Sequence, residues 1–400
     1  MICKDEEDRL LRGSRSRRAL LVDTGFSAWP IYDALIKAGF EVFVVGNNPS
    51  DALAKSVVSY VQLDYSRIER LKDLVITLSP DFLVPGCNDL SYQVCARVAD
   101  ELGFSGFDSL ESIHCLFDKG ALRATAARLG LRSPRVFELN QCTHEVDLIV
   151  KPVDSFSGKG VTIVRKEDAG GLTKATEVAR AYSRTNAYLV EEFIEGQLYS
   201  HSAFLSQQQI AREFWVIEYC SVNPFVVDVS HAAFDLSPHT KELLRDEITK
   251  LAADLKLSDG LLHTQFICSR GIPVVIEVTR RCPGDLYSHL IAASTGFDYP
   301  SAYIAPFCGL PITLDTIVKD QQQFVLRHTV TGDSSGRLRS LDFLRPVSLD
   351  RWVPLLNVGD TLAPSPSGRV GILFSHCESE SQVAELADAA RNRHLYRING

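Results

Sequence analysis

Residues 263–285 read HTQFICSRGIPVVIEVTRRCPGD. The two halves of this stretch are rich in β-branched and apolar residues, and the turn signal SRG at residues 269–271 joins them, which predicts a β-hairpin. Gln265 and Glu277 stand on opposite sides of that turn, so the fold-back brings their side chains together. Thr279 shares the strand face of Glu277 because it lies two residues further along.

These three oxygen-bearing side chains have the chemistry of a magnesium site. Mg²⁺ takes oxygen ligands and usually binds through one or two carboxylates together with substrate phosphates. The hairpin therefore predicts Gln265, Glu277 and Thr279 as metal ligands. The alternative is an ordinary hairpin with polar residues on its solvated face, and the hairpin alone does not decide between the two.

Composition bounds the class of protein. Hydrophobic residues at 45% and charged residues at 23% are typical of a soluble globular chain, and 400 residues suggest about two to four domains. The net charge of −8 argues against nucleic acid or an anionic membrane as a partner. No apolar run is long enough to span a membrane, and residues 1–13 lack the apolar core of a signal peptide. Ten cysteines without a CxxC pair indicate buried thiols in a reducing compartment, so we expect a cytoplasmic protein.

The N-terminal part alternates short apolar strands with helical segments, which predicts βαβ units and an open parallel sheet. Ligands bind in the loops at the carboxyl ends of such strands, here residues 24–27 and 85–89. A GxGxxG motif is absent after the first strand, which argues against a dinucleotide site. Asn88 and Asp89 are candidates for substrate contacts, and helix capping is the competing interpretation.

Several later motifs suit phosphate binding. Lys119, in FDKG, falls in a helix's first turn, where the macrodipole opposes a cation unless an anion is nearby. Lys151 ends the buried strand LIVKP. The loop SFSGKG at residues 155–160 exposes consecutive backbone N–H groups that can cover phosphates, but it is not a Walker A loop. The segment VEEFIEG at residues 190–196 suits either an adenine-binding hinge or an acidic edge strand.

Beyond Gly196 the pattern changes to antiparallel strands. Strands are predicted at residues 199–205, 209–218 and 225–230, followed by a helix at 238–255 that precedes the hairpin. Further strands are predicted at 324–331 and 369–374, and a last helix follows at 379–391.

Taken together and in this order, the motifs resemble the ATP-grasp superfamily over roughly residues 20 to 310. The resemblance implies an α/β protein with the ATP-grasp fold. It implies an N-terminal open parallel α/β domain, a small lid domain, a larger antiparallel-sheet α+β domain and a C-terminal subdomain packed on that core. The corresponding boundaries are 1–110, 111–195, 196–312 and 313–400.

The resemblance also implies ATP and Mg²⁺ as cofactors and assigns roles to individual residues. The expected nucleotide contacts are Lys119, Lys151, Ser157, Gly158, Lys159, Gly160, Glu191, Glu192, Phe193 and Ile194. The expected catalytic residues are Lys151, Lys159 and Arg281, the last of which stabilises an acyl phosphate. The metal ligands are again Gln265, Glu277 and Thr279. The expected substrate contacts are His263, Arg281, Asp285, Asn88 and Asp89.

Three positions depart from the family pattern. Gln265 and Thr279 stand where Glu and Asn are more usual, and Leu198 stands where many members carry a Glu for the ribose hydroxyls. Glu195 or Glu192 is then the candidate for the ribose contact.

Within the superfamily, the chain looks most like the branch of L-amino acid ligases and related carboxylate–amine ligases. The implied reaction is ATP-dependent amide formation through an acyl phosphate, with a small carboxylate and an amine as substrates and a possible homodimer. A carboxyphosphate-forming enzyme similar to biotin carboxylases or carbamoyl phosphate synthetases is one alternative. A degenerate nucleotide-binding protein without catalysis is another.

Overall fold

The structure is a computed structural model that describes residues 16–139, 145–155, 158–168, 170–314, 323–365 and 367–400. Ser157 of the predicted phosphate loop lies outside the described residues. The chain divides into two compact units. The first contains the described residues up to Phe107, with Arg281–Leu286 and Tyr299–Thr313, and the second contains the rest. The four-domain division stays a prediction.

The elements are numbered here in chain order. The strands are β1 Arg18–Val22, β2 Glu41–Gly46, β3 Tyr60–Gln62, β4 Phe82–Pro85, β5 Leu148–Pro152, β6 Thr162–Val164, β7 Tyr188–Glu192, β8 Gln197–Ser206, β9 Gln209–Tyr219, β10 Val229–Ala232, β11 Gly260–Ser269, β12 Ile272–Thr279, β13 Phe324–Thr331, β14 Gly336–Arg337, β15 Ser340–Phe343, β16 Ser348–Pro354, β17 Thr361–Leu362, β18 Arg369–Cys377 and β19 Tyr396–Asn399. The helices are α1 Trp29–Lys37, α2 Ala52–Ser56, α3 Ile68–Leu78, α4 Asp89–Leu102, α5 Leu110–Phe117, α6 Lys119–Leu129, α7 Gly171–Tyr182, α8 Pro238–Asp254, α9 Tyr287–Thr295, α10 Tyr299–Ile304 and α11 Glu380–Arg391.

The first unit is built on a parallel sheet with the strand order β3-β2-β1-β4. Four of the five residues of β1 are fully buried, as expected for a strand whose two faces are both covered. Leu20, Val45 and Leu83 from three neighbouring strands pack with Val94 and Val98 of α4. The predicted open parallel sheet is confirmed.

The second unit contains an antiparallel sheet with the order β12-β11-β8-β9-β10-β13-β18-β16. Its main core forms where Leu244, Ile248 and Leu251 of α8 pack with Tyr199 and Phe266 of the sheet. A smaller antiparallel sheet, β6-β5-β7, packs against α7 through Val150, Val190 and Ala175, among others. This mixture of a parallel and a larger antiparallel sheet is the predicted fold class.

One local expectation needs correction. The strand predicted at 225–230 begins only at Val229 because the preceding residues turn, with the Phe225 N–H donating to Asn223 Oδ1 and Ser221 binding the Asp228 carboxylate. A separate helix, α5, precedes α6, and Asp118 caps α6 by accepting from the Ala121 N–H at 2.8 Å. Within the described ranges, no helix combines the length and the apolar character needed to cross a bilayer.

Asp108 and Arg280 form a buried ion pair that fixes the end of β12. Arg280 Nε lies 2.7 Å from Asp108 Oδ2, and both side chains are at most 2% exposed. Arg280 also donates to the Ser258 carbonyl, and the Ser258 N–H donates to Asp108. The pair therefore holds the loop before β11 and the end of β12 together.

We predict that Asp108→Asn lowers the free energy of unfolding by about 3–5 kcal/mol, since it leaves Arg280 buried without its counter-charge. The matched control is Asp254→Asn, whose partner Arg128 makes two hydrogen bonds at 2.7 and 2.6 Å but is 55% exposed. That change should cost less than about 1 kcal/mol. Chemical denaturation of both variants checks the prediction, and equal losses would contradict it.

Candidate functional site

The hairpin has the predicted pairing. Gln265 lies opposite Glu277, and His263 lies opposite Thr279. All four side chains therefore point to one face of the sheet, as do those of the residues opposite Gln265 and His263 on β8, Ser200 and Ser202. His263 is 4% exposed, and its Nδ1 lies 2.8 Å from the Ser202 hydroxyl. We call this the site face.

Glu218 of β9 is a second carboxylate on the site face. It is 3% exposed, and Gln265 Nε2 donates to its Oε2 at 2.7 Å. Across the sheet, Glu218 stands opposite Leu198 on one side and Ser230 on the other. The chain thus has a carboxylate directly opposite the position where Leu198 replaces the family's usual Glu.

Arg327 of β13 lies in one row of cross-strand neighbours with Glu218 and Ser230. It stands opposite Ser230, is 1% exposed and donates to Thr329 Oγ1 at 2.7 Å. Sequence reasoning missed Arg327. The available signal was a charged residue in the middle of the apolar strand FVLRHTVT, which is rarely buried without a functional or structural reason.

The donor set suits Mg²⁺. Glu218, Gln265 and Glu277 supply carboxylate and amide oxygens, and Thr279 adds a hydroxyl. Among the described residues, no group of three or more His, Cys, Asp or Glu side chains is placed to hold a metal ion.

Lys151 belongs to a buried ion triad. Glu191, which is 0% exposed, accepts from Lys151 Nζ at 2.6 Å and from Arg123 Nε at 2.7 Å. Burial alone would raise the pKa of Glu191, but Lys151 and Arg123 outweigh it and hold that pKa below its ordinary value. Burial and the charge of Arg123 lower the pKa of Lys151, although Glu191 acts to raise it. Two cations face one carboxylate, so the triad carries an excess positive charge that suits an anionic ligand.

A β-bulge connects this triad to the β11–β12 hairpin. The pairing of β11 with β12 shifts after Gln265, so that Ile276 has no opposite residue in the register. The Ile276 carbonyl accepts from Arg123 Nη2 at 2.8 Å. Arg123 therefore joins Glu191 to the residue directly before Glu277. Arg123 was also missed from the sequence, because nothing in α6 marks it apart from its neighbours.

The phosphate loop contacts its surroundings through two glycines. Gly158 and Gly160 have φ values of +68° and +75°, and an added Cβ would lie 2.4 Å from Phe225 Cβ and 2.6 Å from Tyr182 Cβ respectively. Lys119 Nζ donates to the Ser155 carbonyl at 3.3 Å, which brings the start of α6 to this loop. Lys159 is exposed.

The predicted adenine hinge lies along β7 and just beyond it. The Glu191 backbone pairs with Ile149 on β5, and its side chain is held in the triad. Glu192 forms an ion pair with Arg135 at 2.8 Å, and the Phe193 N–H donates to the Asp147 carbonyl at 2.8 Å. Ile194 is half-buried. These contacts leave the adenine role of the hinge a prediction.

The remaining predicted residues belong to the first unit. Asn88 caps α4 by accepting from the Ser91 N–H at 2.8 Å, and its Nδ2 donates to Asp23 Oδ2 at 3.0 Å. Asp89 forms an ion pair with Arg281 at 2.7 Å. Burial raises the pKa of Asp23 although Gly25, Cys87 and Asn88 all donate to its carboxylate.

The first unit thus brings together Asn88, Asp89 and Arg281, and Asp285 follows in the same segment. The second unit contains His263, the predicted metal ligands and the described nucleotide-binding residues.

Comparison with known proteins shows a likeness to one kind of domain. Residues 118–285 match the model of an ATP-grasp domain. The matched segment is 168 of the 400 residues. It contains the triad, the predicted phosphate loop, the predicted hinge and the β11–β12 hairpin.

Curated relatives share part of the chain. A formate-dependent phosphoribosylglycinamide formyltransferase from Methanocaldococcus jannaschii is 28% identical over 199 residues, 46% of this chain and 49% of that protein. The protein of the same name from Rhodococcus jostii is 30% identical over 192 residues, 44% of this chain and 46% of that protein. The chain spans about half the length of the curated relatives it matches.

Solved structures share the fold over nearly the whole chain. An L-amino acid ligase from Bacillus licheniformis superposes with a TM-score of 0.78 at 18% identity, covering 96% of this chain and 99% of that one. A phosphoribosylglycinamide synthetase from Anaerococcus prevotii superposes with a TM-score of 0.76 at 17% identity. The superposition covers 96% of this chain and 100% of that one. ATP-grasp enzymes use ATP and Mg²⁺, and a similar biotin carboxylase domain from Hydrogenobacter thermophilus was solved with MgADP (TM-score 0.75, 16% identity, 96% and 91% covered). The expected fold class is confirmed, the likeness to an ATP-grasp domain is found for residues 118–285, and the individual residue roles stay predictions.

We predict that Glu191→Gln destabilises the protein by about 3–5 kcal/mol at pH 7, because it leaves Arg123 and Lys151 buried without their counter-charge. The pKa of Glu191 in the folded chain lies below its ordinary value of 4.5, so its stabilisation is complete above that pH and is lost as the pH falls through the folded-state pKa. The gap in the free energy of unfolding between wild type and variant should therefore shrink below pH 4.5.

Chemical denaturation at neutral and acidic pH measures this gap. The matched control is Glu192→Gln, whose partner Arg135 is 64% exposed, and it should cost less than about 1 kcal/mol. A gap for Glu191→Gln that does not depend on pH would contradict the assigned ionisation.

Proposed function

We propose that the protein is an ATP-dependent carboxylate–amine ligase that forms an amide through an acyl phosphate. The observation that carries the proposal is the grouping of Glu218, Gln265 and Glu277 on the site face, joined through Ile276 and Arg123 to Lys151. Oxygen ligands beside a positively charged, buried triad form the combination that a metal-bound nucleotide phosphate requires.

In the proposed reaction, a carboxylate oxygen of the substrate attacks the γ-phosphorus of ATP and ADP leaves. The amine then attacks the acyl carbon, loses a proton and displaces inorganic phosphate, which leaves the amide. Bound Mg²⁺ would neutralise charge on the phosphate oxygens, with Glu218, Gln265 and Glu277 as its protein ligands. Lys151 has donors beyond the one directed at Glu191, and these suit the phosphates.

Positioning is the main task of this chain's own residues, since phosphoryl transfer depends on placement and charge neutralisation. Arg123 and Glu191 hold Lys151 in place. Lys119 contacts the loop at residues 155–160, which contains Lys159. Arg327, buried in the row of Glu218, supplies the cation that a substrate carboxylate needs. The Asp89 contact fixes Arg281, for which the family resemblance predicts a role at the acyl phosphate.

The names of similar proteins narrow the substrates to be tested. Formyltransferase relatives suggest formate as the carboxylate and a phosphoribosylated glycine amide as the amine, whereas the L-amino acid ligase fold suggests two amino acids. The biotin carboxylase neighbours keep bicarbonate in consideration. A homodimer is proposed on resemblance alone.

We predict that phosphate release from Mg·ATP depends on adding both a carboxylate and an amine. A paired screen of formate, bicarbonate and amino acids against amines, with coupled detection of phosphate, tests this. Release that requires bicarbonate alone would instead support the carboxyphosphate alternative. No release with any pair, alongside retained nucleotide binding, would support a non-catalytic nucleotide-binding protein.

Glu277→Gln should lower kcat by roughly 100-fold or more, because it removes a charged ligand that acts on the developing charge. Glu242→Gln, an exposed change on α8, is the matched control and should leave turnover unchanged. Full activity in Glu277→Gln would contradict the proposed metal site.

Lys151→Met should abolish most of the nucleotide-dependent rise in melting temperature while the fold persists, since Arg123 still neutralises Glu191. A ligand at about 100 times its Kd stabilises the native state by about 2.7 kcal/mol, so the wild-type rise is measurable by thermal shift. The control is Lys174→Met, an exposed lysine on α7. An unchanged nucleotide effect in Lys151→Met would exclude this lysine from the site.

A further inference from the structure

A cavity lies in the second unit, beside the part of β9 that has a neighbouring strand on one side only. Strand β10 pairs only with residues 216–219 of β9, and no other strand of the described chain takes its place along residues 210–215. A cavity of about 560 Å³ occupies that position, between α8 and α9. Its lining includes Glu213, Trp215, Lys241, Arg245, Ile291 and Ser294. None of these belongs to the predicted nucleotide, metal or substrate set.

One cation of the cavity is already neutralised. Arg245 donates to Glu213 through Nη2 at 2.6 Å and through Nε at 2.9 Å. His201 Nε2 lies 3.0 Å from the other Glu213 oxygen. Burial would raise the pKa of Glu213, but His201 and Arg245 outweigh it and lower that pKa to about 2. Glu213 therefore remains an anion whose charge balances that of Arg245.

Arg212 also lines the cavity, and its guanidinium lies 5.8 Å from the centre of the Phe214 ring. Lys241 is the third cation of the lining. Its Nζ lies 5.9 Å from the centre of the Trp215 ring, and none of the ion pairs among the described residues involves it. The nearest carboxylates that act on it are Glu213, already bound by Arg245, and the exposed Asp235. Burial and the charge of Arg245 both disfavour its charged form and lower its pKa. A bound anion would relieve this cost.

The opposite wall offers a hydroxyl and an apolar surface. Ser294 of α9 is 1% exposed, and its Oγ has no hydrogen-bond partner among the described residues. A buried hydroxyl in this state is uncommon, since buried polar groups are nearly always satisfied. Leu290 and Ile291 line the same wall. Among the described residues, the cavity thus combines a lysine that forms no ion pair, a hydroxyl without a hydrogen-bond partner and an apolar surface.

We propose that this cavity is a second ligand site for a small carboxylate with an apolar body. The carboxylate binds Lys241 and accepts from Ser294, and its branched or aromatic body packs on Trp215, Leu290 and Ile291. The volume falls in the range of small-molecule sites. The proposal is independent of the proposed function.

Calorimetric titration of the full chain, without nucleotide, tests the proposal with phenylacetate, 4-methylpentanoate, phenylacetamide and inorganic phosphate. We expect saturable binding of the two carboxylates and weaker binding of the neutral amide and of phosphate. Lys241→Met should weaken carboxylate binding about tenfold or more, because it removes a charge-assisted hydrogen bond. Ser294→Ala should weaken it about fivefold. Lys250→Met, an exposed lysine on the same helix, is the matched control and should bind as the wild type does.

Arg281→Met separates this site from the proposed active site and should leave the titration unchanged. The proposal is overturned if the carboxylates do not bind, if Lys241→Met binds as tightly as Lys250→Met, or if Arg281→Met rather than Lys241→Met abolishes binding. Phosphate binding as tight as that of phenylacetate would also overturn the assigned ligand class. None of these results bears on whether ATP is turned over.

Discussion

The register of the antiparallel sheet is the constraint on which the site depends. Pairing of β11 with β12 and β8 places Gln265, Glu277, His263 and Thr279 on one face. A slip of one residue would turn every one of these side chains to the opposite face. Phe266 and Val278, which alternate with them, belong to the buried core under α8, so burial of that core enforces the register. The apolar side of the hairpin therefore determines where its polar side points.

The bulge at Ile276 extends this constraint to Lys151. Its carbonyl, which has no place in the ladder between β11 and β12, accepts from Arg123, and Arg123 in turn holds the Glu191 carboxylate that Lys151 contacts. A single buried guanidinium thus connects the β11–β12 hairpin with the sheet β6-β5-β7. Because Glu191 is one carboxylate between two cations, the triad carries a net positive charge, which suits an anionic ligand.

The hairpin, the buried parallel strands and the helix N-caps could be predicted from the sequence because each depends on residues close together in the chain. Turn chemistry and period-two alternation are enough to pair Gln265 with Glu277, and buried parallel strands are recognisable as continuous apolar runs such as β1. The N-caps at Asn88 and Asp118 follow from residue type and position.

The non-local contacts could not be predicted in this way. Arg123 and Glu191 are 68 residues apart, and their contact depends on how two sheets and α6 pack together. Glu218, Ser230 and Arg327 share a row only because β9, β10 and β13 are neighbours, a strand order that no local pattern encodes. The late start of β10 depends on side-chain contacts of Asn223 and Asp228 that override the β propensity of residues 225–228.

The proposed function requires that Glu277, opposite Gln265, holds a metal ion at the phosphates of a bound nucleotide. Calorimetric titration of ADP into wild type and Glu277→Gln, each with and without Mg²⁺, tests this requirement. We expect Mg²⁺ to tighten ADP binding to the wild type, and Glu277→Gln to lose this tightening while it keeps the metal-free affinity. Equal tightening by Mg²⁺ in both proteins would contradict it.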